Sequence, residues 1–368
     1  MKRSVLFISD PKDKFNIVAT GYCDALKQLG WRSYINYANT KKDIKTLIEE
    51  CGVRLIFSLC KYGTRQLPID IINKYGVGVI IQALPCNSAD NYLYDFYRRS
   101  TESEINNLLK INKLLAYTNL LPEVWDKYME TWLSNKVDLI HLPFAGNILK
   151  SLPTDCRPIH HLCMVGSLIY KKERFDDYLM PLFHRLNFLQ TNNQIWGNGL
   201  WREHGITTNG LLFNGRSQLP NIYAKSLVAI NVHTKTEYED QACLNERSFA
   251  IQLCGGVQVT DMPIAKRYFE DCVHIGETAN KFIFAVENNF NVDGRYDQIL
   301  DSVKQAANNH TYHCRLADIF SKLGWKEDAD FCGKEADRLA TLHIWEFEAR
   351  LDAERNGVLY ESPVKQIA

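Results

Sequence analysis

Two runs in the second half of the chain hold residues whose types and spacing suit the binding of a diphosphate. The first, Tyr223-Ala-Lys225-Ser226, leads through four apolar residues to Asn231-Val-His233. The second starts Asn245-Glu246-Arg247-Ser248-Phe249-Ala250, reaches Cys254-Gly255-Gly256 and ends on Thr260-Asp261. If Asn231 and His233 leave the carboxyl end of a strand and Asn245 to Arg247 open the next helix, that helix presents free N–H groups and partial positive charge at its start. A phosphate placed there is stabilised, more so with a guanidinium beside it, and Arg247 and Lys225 suit the role. Gly255-Gly256 lets the chain turn out of the helix into the strand that returns Thr260 and Asp261 to the same crevice. Each group also has a plainer use. Arg247 and Lys225 can be surface cations at helix ends, His233 a hydrogen-bonded strand-end histidine, and Asn231 and Asn245 ordinary strand-end and capping residues. Trp196-Gly-Asn-Gly-Leu-Trp201 reads as a tight loop packed by two indoles, since no Gly-x-x-Gly helix entry follows. Asp328-Ala-Asp330 falls in a charged helical segment and reads as solvated surface rather than a metal site.

The elements that must position these residues alternate. Ser4 to Ser9, Trp31 to Tyr37, Val53 to Leu59, Val77 to Ala83, Lys113 to Tyr117 and Val137 to His141 read as strands. Helix-period segments lie among them at Ile17 to Leu29, Asp43 to Glu50, Gln66 to Lys74 and Pro122 to Leu133. Near-continuous Val/Ile/Leu strands alternating with helices predict a parallel sheet covered on both faces. A link containing Pro153 and Pro158 follows, and the pattern restarts at His161 to Val165, closed by Gly166-Ser167. Helices are expected at Glu173 to Phe188, Leu219 to Ala224, Asn245 to Cys254 and Pro263 to Glu270, with strands at Gln194 to Trp196, Leu227 to Val232 and Val257 to Thr260. The tail from Asp297 to Arg355 reads as consecutive helices, the last with Leu339, Leu342, Trp345, Phe347 and Leu351 as its apolar side. The expected fold class is α/β, two doubly wound domains in tandem. The expected division is 1–155, 156–325, and a helical segment 326–368 that packs back on the first domain. Ligands of such sheets bind beyond the carboxyl ends of the strands, so the crevice between the domains is the expected site.

These motifs, in this order, resemble the C-terminal half of glycosyltransferases of the CgeB-like (spore maturation) group, related to the group 1 glycosyl transferases, with the GT-B fold. The resemblance rests on the Asn245-x-Arg247-x-Phe249 core with its Gly255-Gly256 and the Thr260-Asp261 turn. It also rests on His141-Leu-Pro-Phe-Ala-Gly-Asn147, on Met164-Val165-Gly166-Ser167 followed by Arg174, on Trp196-Gly197, and on His310-Thr311 with Arg315. It covers residues about 140 to 325. It implies that the second domain binds a nucleotide-sugar donor, most simply a UDP-sugar. The contacts implied are Gly166, Arg174, Trp196, Tyr223, Lys225, Asn231, His233, Asn245, Glu246, Arg247, Gly255, Gly256, Thr260 and Asp261. The first domain would then hold an acceptor whose hydroxyl receives the sugar. One departure stands out: a glutamate implied to accept hydrogen bonds from the donor ribose is Ala250 here. Glu246 or another group replaces it, or the donor is held differently, or donor binding has been lost. Glycosyl transfer also calls for a base, or substrate-assisted departure of the diphosphate. Asp10, Asp13 and Asp90, each just beyond an expected strand of the first domain, are the candidate bases.

Composition bounds the partners. The chain of 368 residues carries 43 Lys+Arg against 43 Asp+Glu, a net charge of zero, which argues against a dominant nucleic-acid-binding surface. Hydrophobic residues at 46% and charged residues at 23% place it among soluble globular proteins and exclude disordered and fibrous classes. The longest apolar stretch, Gly76 to Pro85, is about half of what a bilayer span needs. The start of the chain reads as a buried strand rather than a signal peptide, and a cytoplasmic location is expected. Eleven cysteines with no CxxC pair read as reduced core thiols, and His310-x-x-His313-Cys314 lacks a second ligand cluster, so neither metal nor cofactor is expected beyond the nucleotide-sugar co-substrate. Residues 1–150 carry +5 and the rest −5. Tyr92, Tyr94, Phe96, Tyr97, Arg98 and Arg99 form an aromatic and basic cluster in the acceptor-side half, near a loose lysine group of Lys12, Lys14, Lys41, Lys42 and Lys45. A glycan or surface-polymer precursor is the favoured acceptor. The alternatives are a phage-type enzyme that glycosylates a hydroxylated DNA base, and a non-catalytic scaffold of this fold that binds nucleotide or glycan.

Overall fold

A computed structural model describes residues 3–8, 17–36, 41–58, 67–83, 102–166, 175–197, 200–210, 212, 218–234, 237–238, 240–291, 294–358 and 360. Asp10, Asp13, Asp90 and Arg174 lie outside the described residues, as do Lys12, Lys14 and the cluster from Tyr92 to Arg99.

The chain forms two compact units. One comprises Met1–Pro143 with Tyr312–Lys334, the other Phe144–Thr311 with Glu335–Ala368. The first carries a six-stranded parallel sheet built from β1 (Ser4–Ile8), β2 (Arg32–Asn36), β3 (Val53–Ser58), β4 (Gly78–Gln82), β5 (Leu114–Thr118) and β6 (Leu139–His141), in the order β2-β1-β3-β4-β5-β6. Between the strands run α1 (Ile17–Gln28), α2 (Lys41–Cys51), α3 (Ile69–Tyr75), α4 (Glu102–Leu108), α5 (Trp125–Tyr128) and α6 (Glu130–Ser134). Strands such as β1, buried at every position, need an apolar run because helices cover both faces of a parallel sheet.

The second unit carries β7 (His160–Val165), β8 (Asn193–Trp196), β9 (Ser226–Asn231), β10 (Gln258–Thr260) and β11 (Val273–Ile275), all parallel, in the order β11-β10-β9-β7-β8. Among the described residues its helices include α7 (Met180–Phe188), α8 (Leu200–Glu203), α9 (Leu219–Ala224), α10 (Glu246–Leu253), α11 (Lys266–Phe269), α12 (Ala279–Asn288) and α13 (Arg295–Asn309). Then come α14 (Tyr312–Lys322) and α15 (Lys326–Arg355). The helix expected from Glu173 begins instead as a wide π-type turn over Phe175–Leu179, and α7 opens with Pro181 in its first turn, where a missing N–H costs nothing. Strand β11, only three residues long, has no counterpart in the sequence reading.

The division of the chain differs from the expected one at both places. The first boundary falls at Pro143, because Gly146 donates its N–H to the His310 carbonyl at 2.8 Å and pairs with Thr311, which joins residues 144 onward to the second unit. The tail is shared rather than returned whole. Trp31 stacks on Phe320 and Trp325, and the ring of Tyr312 lies against Gly21 of α1 with no room for a Cβ, so residues 312–334 belong to the first unit. From Glu335 on, α15 buries Leu339, Ala340, Phe347 and Leu351 in the second unit. Trp345, expected on that apolar side, is 48% exposed, and His343 and Glu346 are buried instead.

Candidate functional site

In the second sheet the chain leaves β7 for β8 on one side and crosses to β9 on the other, so the strand order reverses between β7 and β9. Helices and loops diverge at the carboxyl ends of such a pair and leave a crevice, the usual ligand site of an open parallel sheet. Here β7 ends at Val165-Gly166, β9 ends at Asn231, and α10 starts from the segment that follows β9.

The start of α10 is held by a buried polar network. Asn245 is the N-cap, with extended backbone, and its Oδ1 accepts from the Ser248 N–H at 3.2 Å. The same oxygen accepts from Asn231 Nδ2 at 3.1 Å, and Asn245 Nδ2 donates back to Asn231 Oδ1 at 3.1 Å. Asn231 Nδ2 also donates to Ser248 Oγ at 2.8 Å. These reciprocal bonds tie the end of β9 to the first turn of α10. A second set joins β9 to β10. The Asp261 carboxylate accepts from the His233 N–H at 3.1 Å and lies 2.9 Å from His233 Nδ1, while Thr260 Oγ1 donates to the Asn231 carbonyl at 2.7 Å. The Asn245 N–H points at His233 Nε2 at 3.4 Å. A backbone N–H only donates, so Nε2 carries the lone pair and the ring proton sits on Nδ1, facing Asp261.

Asn231, His233, Asn245, Thr260 and Asp261 are all buried, and their polar atoms bond one another, Ser248 and Arg247. In the structure these bonds hold the start of α10 against the ends of β9 and β10. What they present is the first turn itself. The cap satisfies Ser248, and the N–H groups of Glu246 and Arg247 are left without partners in the helix. Both side chains are half-buried, and Arg247 Nε reaches Asn231 Oδ1 at 3.4 Å.

Other expected contacts fall elsewhere. Lys225 precedes the first residue of β9, roughly 20 Å along the strand from Asn231, and is ion-paired with Asp155 at 2.6 Å. It cannot share one diphosphate with Arg247. Gly255 and Gly256 are buried at the far end of α10. Gly255 has φ +74, and a Cβ there would lie 2.1 Å from Phe347, so the pair serves the turn and the close packing of α15. Tyr223, on α9, is a core residue whose hydroxyl is buried with no partner among the described residues, and burial pushes its pKa well above the usual phenol value. Gly166 and Trp196 are half-buried at the ends of β7 and β8. Gly197 is bare because a Cβ would meet the Gly166 carbonyl, onto which Trp201 Nε1 also donates.

The sequence reading gave no role to Ser248, the third member of the asparagine network, whose backbone N–H and hydroxyl bond Asn245 and Asn231. It also missed the loop before α10, where the Glu237 carboxylate accepts from the Thr234 N–H at 2.8 Å and Oγ1 at 3.0 Å. Cys243 lies buried in that loop, its thiol pushed up by burial and then by Glu237 and Glu246, which leaves it a poor nucleophile. Among the described residues no group of three or more His, Cys, Asp or Glu side chains is placed to hold a metal ion. No helix is long and apolar enough to cross a membrane among those residues.

Residues 179–321 match the family model described as glycosyl transferase-like, a span that holds β8 to β11 and α10. No curated protein sequence matches the chain. Among solved structures, the chain is similar to the DNA-modifying enzyme β-glucosyltransferase, described with and without its substrate uridine diphosphoglucose. The two are 9% identical, with a TM-score of 0.51, over 96% of this chain and 100% of that one. It is also similar to the UDP-forming α,α-trehalose-phosphate synthase of Burkholderia xenovorans, 9% identical, with a TM-score of 0.50, over 96% and 99% of the two chains. The fold is accordingly the α/β fold with two parallel sheets known as GT-B.

Proposed function

We propose that the protein is a glycosyltransferase whose second unit binds the diphosphate of a nucleotide-sugar donor on the first turn of α10, with Arg247 beside it. The observation that supports this reading is the buried Asn231–Asn245–Ser248 network, which spends three buried polar residues on fixing one short helix start at the strand-order reversal. An N–H pair and a guanidinium held in fixed positions stabilise a diphosphate most as it takes up charge on leaving. In the reaction the bond from the sugar's anomeric carbon to the diphosphate oxygen breaks, and a bond forms from that carbon to the acceptor hydroxyl oxygen. The hydroxyl proton passes to a base or to the departing diphosphate.

A UDP-sugar is the donor we favour, since both similar enzymes are described with uridine nucleotides. The first unit is assigned to the acceptor, with Asp10, Asp13 and Asp90 still the proposed bases. A glycan or polymer precursor is the acceptor that zero net charge favours. The CgeB-like group remains the family we propose for the chain, on its Asn245-x-Arg247-x-Phe249 core.

The test is binding of UDP, GDP and CMP by calorimetry and thermal shift, with and without EDTA, on the full chain and on Arg247→Ala. A ligand that binds the native state raises its apparent stability. UDP should stabilise the protein equally in EDTA, and Arg247→Ala should weaken UDP roughly 10-fold to 100-fold, the worth of a charge-assisted contact, with the melting temperature almost unchanged. Failure of every nucleotide at millimolar concentration with a cooperative melt would refute the donor site and leave the binding scaffold as the better reading.

A further inference from the structure

All six strands of the first sheet run parallel, so their amino ends lie along one edge, opposite the carboxyl ends at which such a sheet takes its ligands. That edge carries a cation at every strand. In sheet order, Arg32 opens β2, Arg3 precedes β1, Arg54 is the second residue of β3, Lys74 closes the helix before β4, Lys113 precedes β5, and Lys136 lies in the turn before β6. With strands about 4.8 Å apart, the row runs roughly 24 Å. Arg3 is paired with Asp328. The other five are exposed, and none of them makes an ion pair among the described residues. Arg54 lies over the Trp325 ring at 5.3 Å and Lys74 over the Tyr75 ring at 5.2 Å, partners that leave the charges unneutralised. A cation at the end of a helix is ordinary, and that covers Lys74. It does not cover Arg32 and Arg54, which stand within strands, or Lys113, immediately before one. In the segments that lead into these strands the exposed acids are Glu49, Glu50 and Asp138, fewer than the exposed cations. Two apolar side chains stand among them: Tyr75 is 49% exposed and Leu109 41%. Asn73 Nδ2 donates to the Lys110 carbonyl at 2.7 Å and Asn73 Oδ1 accepts from the Asn112 N–H at 2.9 Å, which sets the turn after α3, with Lys74-Tyr75, beside the turn after α4, with Leu109-Lys110.

We propose that the amino edge of the first sheet is a docking surface for an anionic lipid membrane, with the row of cations against the headgroups and Tyr75 and Leu109 entering the interface. Unpaired cations in a row match a surface of negative charge, and each one near such a surface adds to the attraction. The two apolar side chains select lipid over nucleic acid. An aliphatic group gains by entering the boundary of the acyl chains, whereas a phosphate backbone offers it nothing. Docking by this edge leaves the carboxyl ends of the same sheet uncovered. The inference concerns the first unit alone and stands independently of the donor site.

The experiment is flotation of the full chain with phosphatidylcholine vesicles, with and without about 30 mol% phosphatidylserine, at about 0.1 M and about 0.5 M NaCl. The wild-type protein should float with the acidic vesicles at the lower salt and not with the neutral ones. Arg32→Gln, Lys113→Gln and Lys136→Gln together should weaken that partition about 100-fold, near fivefold for each cation. Tyr75→Ser with Leu109→Ser should weaken it about 10-fold and leave its salt dependence unchanged. The control removes three exposed cations of the second unit, Arg185→Gln, Lys266→Gln and Lys281→Gln, and should float as the wild type does. All the substituted side chains are exposed, and a melting curve for each variant checks that it folds. Equal partition of the wild type to neutral and acidic vesicles overturns the inference, and so does an equal loss in the control. Binding of a single-stranded oligonucleotide that the first variant abolishes, with acidic vesicles ignored, assigns the edge to nucleic acid and overturns it as well.

Discussion

Replacing Asn245 by alanine separates positioning from contact at the candidate site. The side chain supplies the cap to the Ser248 N–H at 3.2 Å and two bonds with Asn231 at 3.1 Å each, and it is buried. Loss of an N-cap costs about 1 kcal/mol, and each buried side-chain bond contributes about 1 kcal/mol more. Asn231 keeps Ser248 Oγ and Arg247 Nε as partners, so no full orphan penalty is added there. The total is about 2–3 kcal/mol, which for a unit of this size lowers the melting temperature by roughly 5–10 °C. UDP affinity should fall with it, because the N–H groups of Glu246 and Arg247 lose their fixed direction. Asn245→Asp refines the test. It keeps the cap acceptor and so recovers part of the stability, yet it sets a negative charge at the helix start and should bind UDP no better than the alanine variant. The assay is scanning calorimetry of the three proteins with parallel UDP titrations. A melting temperature within 2 °C of wild type for Asn245→Ala, together with lost UDP binding, would refute the reasoning, since it would make Asn245 a direct contact and not a buried positioning residue.

Three further outcomes follow from the same geometry. Lys225→Ala removes the exposed ion pair with Asp155 at the wrong end of β9, so UDP titrations should match wild type, and stability should change by less than about 1 kcal/mol. Gly255→Ala meets both a positive φ and the Phe347 ring, and should cost about 2–4 kcal/mol, read as a fall in the urea midpoint. Burial pushes the His343 imidazole down to about 4, against the opposing Leu253 carbonyl that accepts from its Nε2 and the Glu346 carboxylate, and with the Arg350 charge. The folded pKa is depressed, so below the ordinary histidine value near 6.5 the unfolded chain takes up a proton that the native state refuses. Stability therefore falls as the pH drops from about 6.5 to about 4, by roughly 3 kcal/mol in all, and this contribution is flat above pH 7. In His343→Gln the slope of unfolding free energy against pH over that window should shrink by close to one proton, and an unchanged slope would remove His343 from the account.

Most of the sheet architecture was legible because parallel strands announce themselves. Val53 to Leu59 and Leu227 to Val232 are apolar runs that only a doubly covered strand can use, and they became β3 and β9 within a residue or two. What escaped was set by packing rather than pattern. Val273–Ile275 is too short to show a period, and it became a strand because β10 offers it an edge, with Thr260 opposite Ile275. The sharing of the tail was equally hidden. Trp325, between α14 and α15, and Phe347, on α15, are both apolar residues of the tail, and only their partners, Trp31 for one and Gly255 for the other, assign them to different units. Trp345 shows the opposite error, an apolar residue at plausible spacing that a 30-residue helix leaves 48% exposed.

At the candidate site the sequence singled out polar residues that the structure buries in one hydrogen-bonded set. Asn231, His233, Asn245, Thr260 and Asp261 stood out because polar residues that punctuate apolar strands are conspicuous, and a conspicuous polar residue invites a reading as a ligand contact. Burial reverses that reading. A polar side chain below a few per cent exposure is ordinarily satisfied by the protein itself, and these five are satisfied by one another together with Ser248 and Arg247. The groups left for the diphosphate we propose are the inconspicuous ones: two backbone N–H groups and a half-buried arginine. Substituting the buried set should therefore register as lost stability, with binding falling as its consequence. Substituting Arg247 should change how tightly the nucleotide is bound, in a protein that melts where the wild type does. That division, measured across the two sets on the same calorimeter, tests whether α10 is a scaffolded binding surface or merely a well-capped helix.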